Sequence, residues 1–131
     1  MANRVLIVGG RGRIGSSVAQ DLVTHTDAEI TVTGRNSEAS IGHGLPPDRV
    51  QYQTFDLADS AALQKAVSQS NLVVHCAGPF HYRDAGVLKT CIEAGVNYTD
   101  VSDSRSFTRK ALELRGSAEN AGVTEIGRAH V

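Results

Sequence analysis

Three glycines spaced Gly10-x-Gly12-x-x-Gly15 follow the apolar run Val5-Leu-Ile-Val8, and an amphipathic segment follows them. Strand, tight turn and helix in that order form the cradle of a dinucleotide pyrophosphate. Each glycine has a separate job. Gly10 allows the sharp turn off the strand. Gly12 has no Cβ, so backbone can approach the phosphates. Gly15 lets the helix pack closely on the sheet. The phosphates then face free N–H groups and the positive end of the helix dipole. Arg11 and Arg13 lie in the same loop, where a diphosphate partner accounts for their charge.

A second group of residues addresses the nucleotide's identity. A carboxylate at the end of the second strand accepts hydrogen bonds from ribose hydroxyls in NAD-selective domains. Here that position reads Thr33-Gly34-Arg35-Asn36, with no acid. Arg35 can pair with a ribose 2′-phosphate and stack on the adenine, and Asn36 and Ser37 can add hydrogen bonds. NADP(H) is therefore expected in preference to NAD(H). The alternative for Arg35 is an ordinary solvated loop arginine. Asp56, just past the third strand, either accepts from the adenine amino group or starts the next helix. Ala77 and Gly78 close the fourth strand, and Gly78 permits close backbone approach beside the nicotinamide ribose. Tyr98 and Asp100 alternate along the fifth strand and share a face. They either reach the cleft or pack and cap the strand end, so no catalytic residue is assigned.

These residues need a scaffold, and the hydrophobic pattern supplies one. Strands are expected at Arg4–Val8, Glu29–Thr33, Val50–Phe55, Leu72–Cys76 and Asn97–Val101. Helices are expected at Arg13–Thr26, with Ile14, Val18 and Leu22 on one face, and at Ser60–Ser70, capped by Asp59 and burying Ala62, Leu63, Ala66 and Val67. Two more are expected at Arg83–Ala94, stopped by Gly95, and at Ser104–Ala121, one long helix stopped by Gly122. A polar loop covers Asn36–Arg49. This alternation calls for an α/β fold: a doubly wound, Rossmann-type parallel sheet in the order 3-2-1-4-5. Ligands bind such sheets where the first and fourth strands end.

The sixth strand is expected to be truncated. Val123-Thr124 begins it, but Gly127, Arg128 and His130 interrupt the apolar run that a buried strand needs. The codons GAG ATC GGA AGA GCA CAC GTC, which resemble a common sequencing adapter, encode Glu125-Ile-Gly-Arg-Ala-His-Val131. Residues 1–124 are thus expected to be the nucleotide-binding domain, incomplete at its C-terminal end, and 125–131 a non-native tail. A genuine polar C-terminus is the alternative.

Composition narrows the partners. At 131 residues the chain has the length of one domain, and a formal net charge of -1 gives no footprint for nucleic acid or a membrane surface. No secretory or spanning apolar segment is present, so a cytoplasmic location is expected. Cys76 and Cys91 are not expected to form a disulfide there. No metal site is expected, because His75, Cys76, His81 and Cys91 lack ligand spacing and neighbours on a strand face opposite ways. There is no Gly-x-Ser-x-Gly elbow. There is also no Tyr-x-x-x-Lys pair: Gly86 stands four places after Tyr82, which counts against a short-chain dehydrogenase.

Together Val5–Gly15, Gly34-Arg35-Asn36, Ala77-Gly78-Pro79-Phe80 and Ala94-Gly95-Val96-Asn97-Tyr98-Thr99-Asp100 resemble the N-terminal NADP-binding domain of saccharopine dehydrogenase-like oxidoreductases. The resemblance runs from about Arg4 to Thr124. It implies cofactor contacts from Gly10, Gly12, Arg13, Ile14, Gly15, Arg35 and Gly78. It also implies hydride transfer between a nicotinamide and an amino-acid-derived C–N bond, with a small-molecule substrate held by a second domain beyond residue 124. The full-length protein is expected to be a homodimer, and the fragment alone inactive. The other function class is an NADP(H)-sensing module that uses the same domain without catalysis; fold alone does not separate the two.

Overall fold

The structure is a computed structural model, and it describes residues 3–9, 13–34, 45–77, 85–102 and 104–127. Its elements run β1 (Arg4–Val8), α1 (Arg13–His25), β2 (Glu29–Gly34), β3 (Val50–Thr54), α2 (Ser60–Ser68) and β4 (Leu72–His75). They continue α3 (Gly86–Ala94), β5 (Asn97–Asp100), α4 (Arg105–Leu112), α5 (Arg115–Ala121) and β6 (Glu125–Gly127). All strand pairs are parallel, in the order β3-β2-β1-β4-β5-β6. The doubly wound sheet and its 3-2-1-4-5 order are as the sequence implied.

The strand period of two sorts the core into two layers. Leu6, Val8, Val73 and Tyr98 face α2, α3, α4 and α5, meeting Leu63, Val67, Leu88, Cys91, Ala111 and Ala118. Val5, Ile7, Ile30, Val32 and Val74 face α1, where Ala19 is buried and Val18, Leu22 and Val23 pack against them. Leu6, Ile7 and Val8 are fully buried. Each such side chain stabilises the fold by roughly 1.5–3 kcal/mol through burial, which is why β1 is apolar on both faces and lies centrally.

The helix stops hold. Asp59 caps α2 by accepting the Ala62 N–H at 3.2 Å, while Gly95 and Gly122 end α3 and α5 in the left-handed region. Ser104 caps α4 in the same way as Asp59, through the Phe107 N–H.

Three expectations are corrected. First, the chain forms a sixth strand: Glu125–Gly127 pairs with Tyr98–Asp100 in parallel register. The Tyr98 N–H donates to the Thr124 carbonyl at 2.9 Å, and the Thr124 N–H donates to Asn97 Oδ1 at 2.9 Å. Backbone pairing at a sheet edge does not need the apolar run of a central strand. Second, the helix expected over Ser104–Ala121 is two helices. The Leu114 N–H bonds the Ala111 carbonyl three residues back, which tightens and closes the turn, and Gly116 is a weak helix former just beyond. Third, Ile14 does not join Val18 and Leu22 in the core. It is 49% exposed, and Gly15 and Ala19 are the residues that α1 buries.

Candidate functional site

The carboxyl ends of β1 and β4 are neighbours, and the chain leaves them for opposite faces of the sheet. β1 leads to α1 on one face, and β4 leads to α3 on the other. This is the topological switch point, where open α/β sheets hold ligands. Two observations define its geometry. The Cys76 N–H donates to the Val8 carbonyl at 2.7 Å, which carries the β1–β4 ladder past the last strand residue. Gly9 then takes φ +74° and lies so close to Ala77 that a Cβ on it would fall 2.6 Å from the Ala77 Cα. Only glycine satisfies both conditions.

Gly9, which the sequence reading did not single out, thus also has to be glycine where the chain leaves β1. The Gly-x-Gly-x-x-Gly spacing did not mark Gly9, because the contact that requires glycine there comes from Ala77, far along the chain. Gly10, Gly12, Arg35, Asn36 and Gly78 lie outside the described residues.

The remaining candidates are distributed around this point. Arg13 and Ile14 open α1 and are both exposed, while Gly15 is buried against the sheet. The first turn of α1 has no acidic residue, so no carboxylate of its own competes for the positive end of the helix. An exposed helix start with a cation in it and a buried glycine within the first turn fits a dinucleotide's pyrophosphate. Asp56 is exposed at the carboxyl end of β3, where its Oδ1 accepts the Ala58 N–H at 2.9 Å. It is not the cap of α2, which is Asp59. Ala77 stands against Gly9 at the end of β4.

Tyr98 and Asp100 share a face as expected, and both are buried. The Tyr98 hydroxyl donates to Asp100 Oδ2 at 2.8 Å, and the Ser102 N–H donates to Asp100 Oδ1 at 3.0 Å. The packing alternative thus describes this pair. His75 and Cys76 point to opposite faces. His75 sits among Tyr98 and Phe107 at 1% exposure, and Cys76 packs on the α1 side. Burial, helped by the negative charge of Asp100, pushes the Cys76 thiol up to about 11, and burial alone pushes Cys91 up to about 12. Both are free thiols and stay protonated near neutrality, which makes them poor nucleophiles. Among the described residues no group of three or more His, Cys, Asp or Glu side chains is placed to hold a metal. Among them, too, no helix is long and apolar enough to cross a membrane.

Fold and site together define a dinucleotide-binding domain of the Rossmann type. More particularly, residues 5–126 match the saccharopine dehydrogenase NADP binding domain, and the chain belongs to that family. Its nucleotide is accordingly NADP(H). A probable mitochondrial saccharopine dehydrogenase-like oxidoreductase of Arabidopsis thaliana is 31% identical over 133 residues, 90% of this chain and 29% of that protein. A saccharopine dehydrogenase-like oxidoreductase of Homo sapiens is 33% identical over 73 residues, 55% of this chain and 17% of that protein. Among solved structures, apo saccharopine dehydrogenase (L-Glu forming) from Saccharomyces cerevisiae superposes with a TM-score of 0.76 at 22% identity. That superposition covers 96% of this chain and 27% of the yeast chain. The chain thus spans under a third of the length of these oxidoreductases.

Proposed function

We propose that this chain is the NADP(H)-binding part of an oxidoreductase that moves a hydride between the nicotinamide and an amino-acid-derived C–N bond. The observation that carries the reading is the exposed, acid-free start of α1 beside the β1/β4 switch point. Membership of a family defined by NADP binding supports it. When bound, the dinucleotide supplies the two-electron hydride chemistry. The chain's own residues bind and orient it. Gly10, Gly12, Arg13, Ile14 and Gly15 line the pyrophosphate. Arg35 and Asn36 take the 2′-phosphate, Asp56 the adenine, and Ala77 and Gly78 the nicotinamide side. Substrate positioning falls to a second domain of the full-length protein. That protein is read as a cytoplasmic homodimer.

Titration of NADPH and NADH into the chain and its Arg35→Asp variant tests this reading. The parent is expected to prefer NADPH, and the substitution to narrow or reverse the preference. A charge-assisted contact is worth roughly 1.5–3 kcal/mol, one to two decades of affinity. Equal affinity for both nucleotides in the parent would remove Arg35 from the site.

A further inference from the structure

We propose that His75 is a positioning residue for the cofactor: its Nδ1 holds the Ala77 amide, and so fixes the end of β4 beside which the nicotinamide half lies. The inference rests on the NADP(H) reading above and adds a residue to it. His75 is the last residue of β4, paired in register with Val8 of β1 and Asp100 of β5. Packing alone at this position, 1% exposed, would favour an apolar side chain. The imidazole instead stands edge-on to two rings. Tyr98 is 6.3 Å away at 81°, and Phe107 is 6.0 Å away at 89°. Tyr98 is itself anchored by its hydroxyl on Asp100, and Phe107 is 1% exposed. The ring is clamped, and its Nδ1 accepts the Ala77 N–H at 3.3 Å.

A side chain that accepts the N–H two residues ahead fixes a turn, as Asn and Asp do in Asx-turns. The residue so fixed is the one whose backbone presses on Gly9, 2.6 Å from where a Cβ would be. One hydrogen bond from the core layer thus sets the spacing between the two strand ends at the switch point. An imidazole that accepts at Nδ1 carries its proton on Nε2, so the arrangement has a spectroscopic signature.

Three proteins test it: the parent, His75→Phe and His75→Asn. Phenylalanine keeps a ring between Tyr98 and Phe107 and has no acceptor. Asparagine loses the ring and keeps an acceptor for the N–H two residues on. The probes are NADPH and 2′,5′-ADP, which lacks the nicotinamide half. His75→Phe is expected to weaken NADPH binding measurably by loosening the β4 end, with 2′,5′-ADP affinity unchanged. His75→Asn is expected to restore NADPH affinity to near the parent value. A purely structural role would weaken both probes alike and would not be rescued by asparagine; that outcome overturns the proposal, as does undiminished NADPH binding by His75→Phe. Nitrogen NMR of the parent imidazole gives a readout that needs no variant. The Nε2–H tautomer is expected at neutral pH, and an Nδ1–H tautomer overturns the assignment. A parent that bound neither probe would instead count against the NADP(H) reading itself, with the tautomer still deciding the role of His75.

Discussion

The two ends of the sheet are built differently. At the amino end, described residues bound open grooves of about 250 and 710 Å³, lined by Arg4, Glu29, Gln69 and Ser70 among others. Their charges are spent locally. Arg4 pairs with Glu29 at 3.5 Å, both more than half exposed. Arg49 turns its guanidinium onto the carbonyls of Val23, Thr26 and Ala28, closing the carboxyl end of α1. At the carboxyl end the described residues are tightly set: Gly9 against Ala77, and His75, Tyr98 and Asp100 buried and bonded to one another or to backbone. Strand spacing at the β1/β4 switch point, where open α/β sheets hold ligands, is fixed by contacts few residue types allow, and such a site needs its strand ends pre-positioned.

Substitutions can break this contrast, and the largest effect is expected at Gly9. Gly9→Ala forces a non-glycine residue to positive φ and drives its Cβ into the Ala77 backbone. A loss of more than about 2 kcal/mol is expected from left-handed strain plus overpacking, read as a lower urea midpoint. A variant as stable as the parent would mean that the strand ends do not touch. Arg49→Ala should come next. It strips several carbonyls at the end of α1 of their donor, and a loss of about 1–2 kcal/mol is expected. NADPH affinity should stay unchanged, since the damage is at the far end; a matching fall in affinity would show that the two ends are coupled. The smallest effect is expected from Arg4→Ala. An exposed pair of this kind contributes at most about 1 kcal/mol and is screened by salt. Thermal melts at low and high salt should differ little between parent and variant, with nucleotide titrations superimposable.

Local signals were the legible ones. The Gly10-x-Gly12-x-x-Gly15 run, the apolar strands, the Asp59 cap and the Gly95 and Gly122 stops all act within a few residues. Propensity, period and cap chemistry therefore reveal them. Sheet order followed as well, because right-handed crossovers leave few ways to connect this sequence of elements. The break between α4 and α5 was not legible. Phe107, Ala111 and Ala118 keep helical spacing across it, so the hydrophobic period carries no mark of the turn at Glu113–Leu114.

By itself, then, the sequence determined that this is a doubly wound nucleotide-binding sheet, because strand and helix periods, caps and the glycine run are all local signals. Tertiary structure alone decided three further points. Gly9 needs to be glycine, because the contact that demands it comes from Ala77, far along the chain. Glu125–Gly127 becomes a strand because β5 offers it backbone partners, whatever its side chains. His75, weighed in the sequence only as a metal ligand, is instead buried edge-on between Tyr98 and Phe107 with its Nδ1 accepting the Ala77 N–H. Each depends on atoms brought together from distant positions, and residue identity along a single stretch of chain does not encode such encounters.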